Sequence, residues 1–350
     1  MEKLNNNIPY IINFAPHAGT MNLGDYIIWD SIKSILTDLL KHENVMVLNF
    51  SSHQPLSWYH KMLLKRLKKE KIPYIILLSG ANPFHPYYSP VSSLNQWAVG
   101  ITDIQNLKNK VLLFGTGTII APPSIKRHIL SLYALKFWKL VMTKEFVHEV
   151  RDDESIELAH KIGIYNVVNL GCPTLWKLTK KFVGKIPTTK SNSVVTTITA
   201  NKKDPERDKL MLKILLKNYE EVYLWPQGTE DIIYINKTIV PLCPECVKIK
   251  ILPPTLWAYD QLLSKTNIDY IGTRVHGGIR ALQHKRRSII VSVDHRASSF
   301  SKSFGIYSIN RDEIAGLDDV INSKIKVRIQ IPEKRIKKYL EEFKRYVNSL

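Results

Sequence analysis

Short apolar runs rich in β-branched residues alternate with longer amphipathic segments along almost the whole chain, and this alternation constrains the fold more than any other feature. Residues 8–14, 45–50, 74–78 and 111–114 read as strands, because each run is short and nearly continuous in apolar side chains. Residues 24–40 read as a helix, with Ile27, Ile28, Ile32, Ile35, Leu36 and Leu39 recurring at helical spacing. Helices are also expected over 56–69, 125–141 and 155–162, and strands at 149–150 and 167–170. Strands that are apolar throughout must be covered on both faces, which a parallel sheet flanked by helices provides.

The alternation pauses over 180–192, a polar and basic stretch with Gly184, Pro187 and two threonines, which reads as an interdomain linker. A second series follows, with strands at 193–199, 221–225, 248–252, 269–272 and 287–293. Helices are expected at 205–219, 232–238, 256–264 and 276–284, and a basic amphipathic helix closes the chain at 332–347. A chain of 350 residues exceeds one ordinary core. The expected fold is α/β: two doubly wound domains, 1–183 and 190–325, facing each other across a cleft, with a C-terminal helix over 330–350. Ligands in such folds bind beyond the carboxyl ends of the strands.

The 50 lysines and arginines against 31 acidic residues give a formal net charge of +19. A nucleic acid, an anionic membrane surface or an anionic substrate would each explain that excess. The three cysteines are Cys172, Cys243 and Cys246, too few for a disulfide-built secreted domain. Cys243-Pro-Glu-Cys246 has redox or zinc spacing, but no second pair or histidines complete a metal site, so the two read as incidental thiols in a reducing compartment. The polar start carries no signal-peptide core, and no apolar run is long enough to span a bilayer.

Four motifs fall at strand–helix junctions. Asn22-Leu-Gly24-Asp25 precedes the first helix; Gly24 would admit a ligand close to the backbone, yet Asp25 reads first as a first-turn residue favoured by the helix dipole. Gly272-Thr-Arg274-Val-His276-Gly277-Gly278 puts a guanidinium and an imidazole one residue apart, just before helix amides, a combination suited to phosphate or carboxylate. Asp294-His-Arg296 follows the next strand; Arg296 either adds charge to the same anion site or pairs with Asp294. Arg151-Asp152-Asp153-Glu154-Ser155 leads into a helix, where Asp152 reads as a cap and Arg151 is harder to explain structurally. Two basic helices flanked by aromatics, around Trp58 and over 125–144, suit either a solvated surface or the interface of an anionic membrane.

Together with Ser79-Gly-Ala-Asn82 and Gly171-Cys-Pro-Thr174, these motifs occur in the order and spacing of a known family, across about residues 10–305. The chain resembles the polysaccharide pyruvyl transferases. That resemblance implies two Rossmann-like domains, similar to the glycosyltransferases of type B. It implies transfer of a pyruvyl group from phosphoenolpyruvate to two sugar hydroxyls, forming a cyclic ketal, with no metal and no cofactor beyond the donor substrate. It further implies a surface-glycan precursor, often lipid-linked, as acceptor, and a cytoplasmic location at the inner face of the membrane.

On this reading Arg274, His276, Gly277, Arg296 and Arg151 bind the anionic donor. His276 is the first choice for proton transfer, and Asp25 or Asp152 would take a hydroxyl proton. Asn22, Gly24 and Asn82 are expected on the acceptor side. The competing readings are a nucleotide-sugar glycosyltransferase of the same architecture and a basic nucleic-acid-binding protein. The second lacks a recognition motif, and no specific nucleic-acid partner is expected.

Overall fold

The alternation resolves into strands that all pair in parallel among the described residues. The computed structural model describes residues 8–91, 95–119, 124–293 and 295–350, with the side chains of 126–127 and 295–299 outside the description. Contacts divide the chain into two units: the first is the described parts of Met1–Thr20, Ile28–Pro173 and Pro332–Leu350, the second Met21–Ile27 and Thr174–Ile331. The sequence placed the boundary near 183 and set the last helix apart. By contact the division follows Pro173, and that helix groups with the first unit.

In the first unit β1 (Tyr10–Ala15), β2 (Met46–Ser51), β3 (Tyr74–Ser79) and β4 (Val111–Phe114) form a sheet in the order β2-β1-β3-β4. The order reverses direction between β1 and β3, so the loops after these strands are where a ligand would be expected. β5 (His148–Val150) and β6 (Val167–Asn169) pair with each other, and β5 runs beside β4 through a Thr116–Val150 bridge. One ladder position there is filled by a side chain. His148 Nδ1 accepts the Leu113 N–H at 3.2 Å while Nε2 lies 2.8 Å from the Thr143 carbonyl. Burial holds the His148 pKa down to about 4, so the ring is neutral, with the proton on Nε2.

The core of this unit is aromatic: Phe14 meets Phe50 and Trp97 edge-on at 5.5 and 5.2 Å, and Trp97 stacks on Trp138. The closing helix, Glu333–Asn348, buries Tyr339, Phe343 and Val347 at helical spacing. Tyr339 and Phe343 pack on Phe114 and Phe146, and Lys344 pairs with Glu43 at 2.6 Å.

The second unit carries β7 (Ser193–Thr196), β8 (Glu221–Leu224), β9 (Lys250–Ile251), β10 (Ile268–Gly272), β11 (Ser288–Ser292) and β12 (Ser308–Asn310) in the order β12-β11-β10-β7-β8-β9. Here the order reverses between β7 and β10. β12, the His295–Phe304 helix and the Leu317–Asn322 helix were not expected from the sequence. A buried pair supports the sheet: Arg287 meets Asp269 at 2.7 Å and also donates to the Ile321 carbonyl, while Tyr219 donates to Asp269 at 2.8 Å.

Three local expectations change. The stretch read as a linker contains a helical turn, Lys180–Val183, capped by Thr179 at 3.3 Å. The helix expected at 232–238 runs from Thr229 through a π turn at Ile235–Ile239, because Pro241 has no N–H to close the next α-helical bond. Cys243 and Cys246 are joined in a disulfide rather than standing as thiols; the tight turn at Pro244–Lys248 brings their Cα atoms to 5.3 Å. Among the described residues no helix is long and apolar enough to cross a membrane.

Candidate functional site

In the second unit the loops after β7, β8 and β10 are tied to one carboxylate. Asp231 is fully buried. Its Oδ1 accepts the Arg274 Nη2–H at 2.5 Å and the Ala200 N–H at 2.9 Å, and its Oδ2 accepts the Gln227 N–H at 3.1 Å. The Arg274 backbone is fixed separately. Its N–H donates to Thr197 Oγ1 at 3.1 Å, and its carbonyl accepts from Tyr270 Oη at 2.6 Å. Because that carbonyl can only accept, the Thr197 hydroxyl must donate to Tyr270 Oη, 2.6 Å away.

Arg274 is the N-cap of the Val275–Gln283 helix, and buried His276 and Gly277 lie in its first turn. Gly277 is required by close approach: a Cβ there would sit 2.7 Å from Gln227 Nε2 and 3.1 Å from Tyr270 Oη. Two donors of this cluster, Arg274 Nε and Gln227 Nε2, are buried without a hydrogen-bond partner among the described residues. With the positive end of the helix dipole they make a setting for a small oxyanion.

The segment Asn22–Asp25, expected in the first domain, groups instead with the second unit. The cause is a backbone contact: the Leu23 N–H donates to the Gln227 carbonyl at 2.8 Å, and Gly228 lies so close to Met21 that a Cβ would come within 2.8 Å of its carbonyl oxygen. Asn22 Oδ1 accepts the Gly24 N–H at 3.1 Å and so caps the Leu23–Leu40 helix, with Asp25 buried in its first turn. Asn22, Gly24 and Asp25 are therefore linked through Gln227 and Asp231 to Arg274, His276 and Gly277.

The first unit holds a separate cluster. Asn82, after β3, accepts from Arg151 Nη2, and Arg151 Nε lies 3.7 Å from Asp152 Oδ2. Gly117, after β4, packs into this group: a Cβ there would come within 2.8 Å of Asn82 Oδ1 and 2.6 Å of Asp152 Oδ2. Asp152 Oδ1 accepts the Ser155 N–H at 2.9 Å, so its capping role is real. Arg151 Nη1 is buried and unpartnered among the described residues. Behind it Glu149 is fully buried; burial lifts its carboxyl well above the ordinary range, against the Gly115 and Leu170 N–H groups that would lower it.

Asp294 lies outside the described residues, as does the Arg296 side chain. Sequence reasoning missed Asp231, Gln227, Glu149 and Gly117. The one usable signal was Gly115-Thr-Gly-Thr118 directly after a strand, a pattern that permits close backbone approach. Among the described residues no group of three His, Cys, Asp or Glu side chains is placed to hold a metal ion.

A family model described as polysaccharide pyruvyl transferase matches residues 22–295. No curated protein sequence matches the chain. Among solved structures, the UDP-GlcNAc 2-epimerase of Methanocaldococcus jannaschii, in complex with UDP-GlcNAc and UDP, has a TM-score of 0.53 at 12% identity, covering 96% of this chain and 99% of that chain. A further UDP-N-acetylglucosamine 2-epimerase has a TM-score of 0.55 at 7% identity, covering 98% of this chain and 97% of that chain. At such identity the likeness concerns the fold alone, the glycosyltransferase-B-like α/β architecture expected from the sequence.

Proposed function

The chain belongs to the polysaccharide pyruvyl transferase family, and from that premise we propose that it transfers the pyruvyl group of phosphoenolpyruvate to two hydroxyls of a sugar in a surface-glycan precursor, closing a cyclic ketal. The observation that carries the donor assignment is the state of Arg274. One nitrogen is anchored on Asp231, while its Nε, like Gln227 Nε2, is a buried donor without a partner among the described residues. Leaving a buried donor unsatisfied costs about 1–3 kcal/mol, which a phosphate oxygen at this position would relieve. The family match makes that phosphate the donor's.

The reaction needs a proton on the vinyl carbon, attack by two hydroxyls and loss of phosphate. Of the two hydroxyl protons, one ends on the new methyl group and the other leaves with phosphate, so no further reactant is required. Arg274, Gln227 and the first helical turn with Gly277 hold the phosphate, and His276 carries the proton to it or to the vinyl carbon. Asp152 serves its helix cap, so the hydroxyl proton is assigned to Asp25, in the segment bound to Gln227. Arg151, held by Asn82 within the first unit, keeps a buried Nη1 that offers a cationic contact to an oxyanion there.

The test is phosphate release from phosphoenolpyruvate with nitrophenyl and lipid-linked sugars, run beside a panel of nucleotide sugars. Sugar-dependent release is expected, with Arg274→Ala and His276→Ala losing most turnover while remaining folded, Arg274→Ala with a lowered melting temperature because Asp231 loses its counter-charge. Turnover of a nucleotide sugar in place of phosphoenolpyruvate, or near wild-type rates in either variant, would overturn the assignment.

A further inference from the structure

Two helices of the first unit turn apolar side chains to solvent. The Trp58–Lys69 helix buries Leu64 and Leu67, yet Trp58 is 75% exposed and Tyr59 and Met62 stand out beside it. The Ile125–Val141 helix buries Ala134, Phe137, Trp138 and Val141, while Ile125 is 86% and Ile129 63% exposed, with Leu132 also exposed. Positions 125, 129 and 132 follow one another at four and three residues, so they form one stripe on the side away from the core. Exposed apolar residues aligned in this way, rather than scattered singly, are the mark of an interaction surface.

The two sets lie on one face. Leu64 and Leu67 share a single core cluster with Ala134, Phe137 and Trp138, so both helices cover the same side of the sheet. Each follows a strand of a parallel sheet, so both start at the same edge, and the exposed apolar residues other than Leu140 occupy the first half of each. Charge then distinguishes the partner. Beyond Met62 the first helix presents exposed Lys65, Arg66, Lys68 and Lys69, and the second presents Lys136 and Lys139. Among the described residues, only Arg66 of these cations has an acidic partner close by, Glu70 at 3.0 Å. A second copy of the chain docked symmetrically here would bring these lysines against their own kind. An anionic bilayer satisfies both features, with aromatic and aliphatic groups at headgroup depth and lysines over lipid phosphates.

We propose that this face of the first unit docks on an anionic lipid bilayer, inserting Trp58 and the Ile125–Ile129–Leu132 stripe. The inference stands apart from the donor chemistry, because its test needs no turnover. The full chain is sedimented with vesicles of equal parts phosphatidylglycerol and phosphatidylcholine, and with phosphatidylcholine alone. Wild type is expected on the anionic vesicles and more than about tenfold weaker on the neutral ones. The triple variant Ile125→Ser, Ile129→Ser, Leu132→Ser should lose at least about tenfold in partitioning with an unchanged melting curve. Vesicles should shift tryptophan emission to the blue in wild type but not in Trp58→Phe. Equal binding of wild type and triple variant, or no binding by wild type, would overturn the proposal. So would a concentration-dependent dimer in sedimentation velocity that the triple variant abolishes.

Discussion

Replacing Asp231 by Asn keeps the shape of the side chain and removes the charge on which three loops converge. The carboxylate accepts three hydrogen bonds, from Arg274, Ala200 and Gln227, and it is fully buried. An amide has one acceptor oxygen, so its NH2 must face one of those donors. The variant also leaves a mostly buried guanidinium without its counter-charge. Breaking a buried ion pair from one side costs about 3–5 kcal/mol, whereas a lost neutral hydrogen bond would cost about 1 kcal/mol. The expected result for Asp231→Asn is therefore a fall of about 3–5 kcal/mol in unfolding free energy, followed by urea titration. Hydrogen exchange should speed up in peptides containing Ala200 and Gln227, whose amides rest on this carboxylate, and little in β4 or β5. Phosphoenolpyruvate turnover should fall with it, because Arg274 loses its anchor. A variant within about 1 kcal/mol of wild type, with both amides still protected, would refute the idea that one carboxylate organises the site.

Three further outcomes follow from the same structure. His148 is neutral when folded, with a pKa near 4 against 6.5 unfolded; its contribution is complete above pH 6.5 and is lost as pH falls toward 4, by about 3 kcal/mol in all, so His148→Gln should show a flatter acid limb in unfolding titrations. Glu149 has the opposite sign: its raised pKa makes stability greatest below the unfolded value and lost as pH rises through the folded one, so Glu149→Gln should remove a loss of stability expected of wild type as pH rises above the ordinary carboxylate range. Gly277→Ala would add up to about 1 kcal/mol of helix propensity at an open site, but its Cβ would press on Gln227 Nε2; a lower melting temperature and weaker phosphoenolpyruvate binding are expected, and a stabilised, active variant would contradict the packing.

The strands were legible because a doubly covered parallel strand is a near-continuous apolar run, as residues 74–78 and Val111–Phe114 are. β12 was not, since three residues of Ser-Ile-Asn at the sheet edge carry no such signature. Arg274, His276 and Gly277 were legible because they stand in one contiguous turn. Asp231 was not: it lies 43 positions before Arg274, and only the strand order that sets β7 between β8 and β10 brings them together. Asn22 and Asp25 were legible as a motif, but their attachment to Gln227 is a backbone bond made far along the chain, which no local pattern encodes. Glu149 was hidden for a different reason. A carboxylate within a short strand reads as an exposed edge, whereas here it is buried and held by backbone donors.

Substituting Arg274 by Lys tests most directly whether that side chain serves two anions at once. Equilibrium titration with phosphoenolpyruvate would compare the two proteins. An ammonium can still pair with Asp231 but cannot present a second, fixed N–H beside Gln227, so Kd should rise by about ten- to a hundredfold while melting stays close to wild type. Equal affinities in the two proteins would contradict a donor site built on the Arg274 fork.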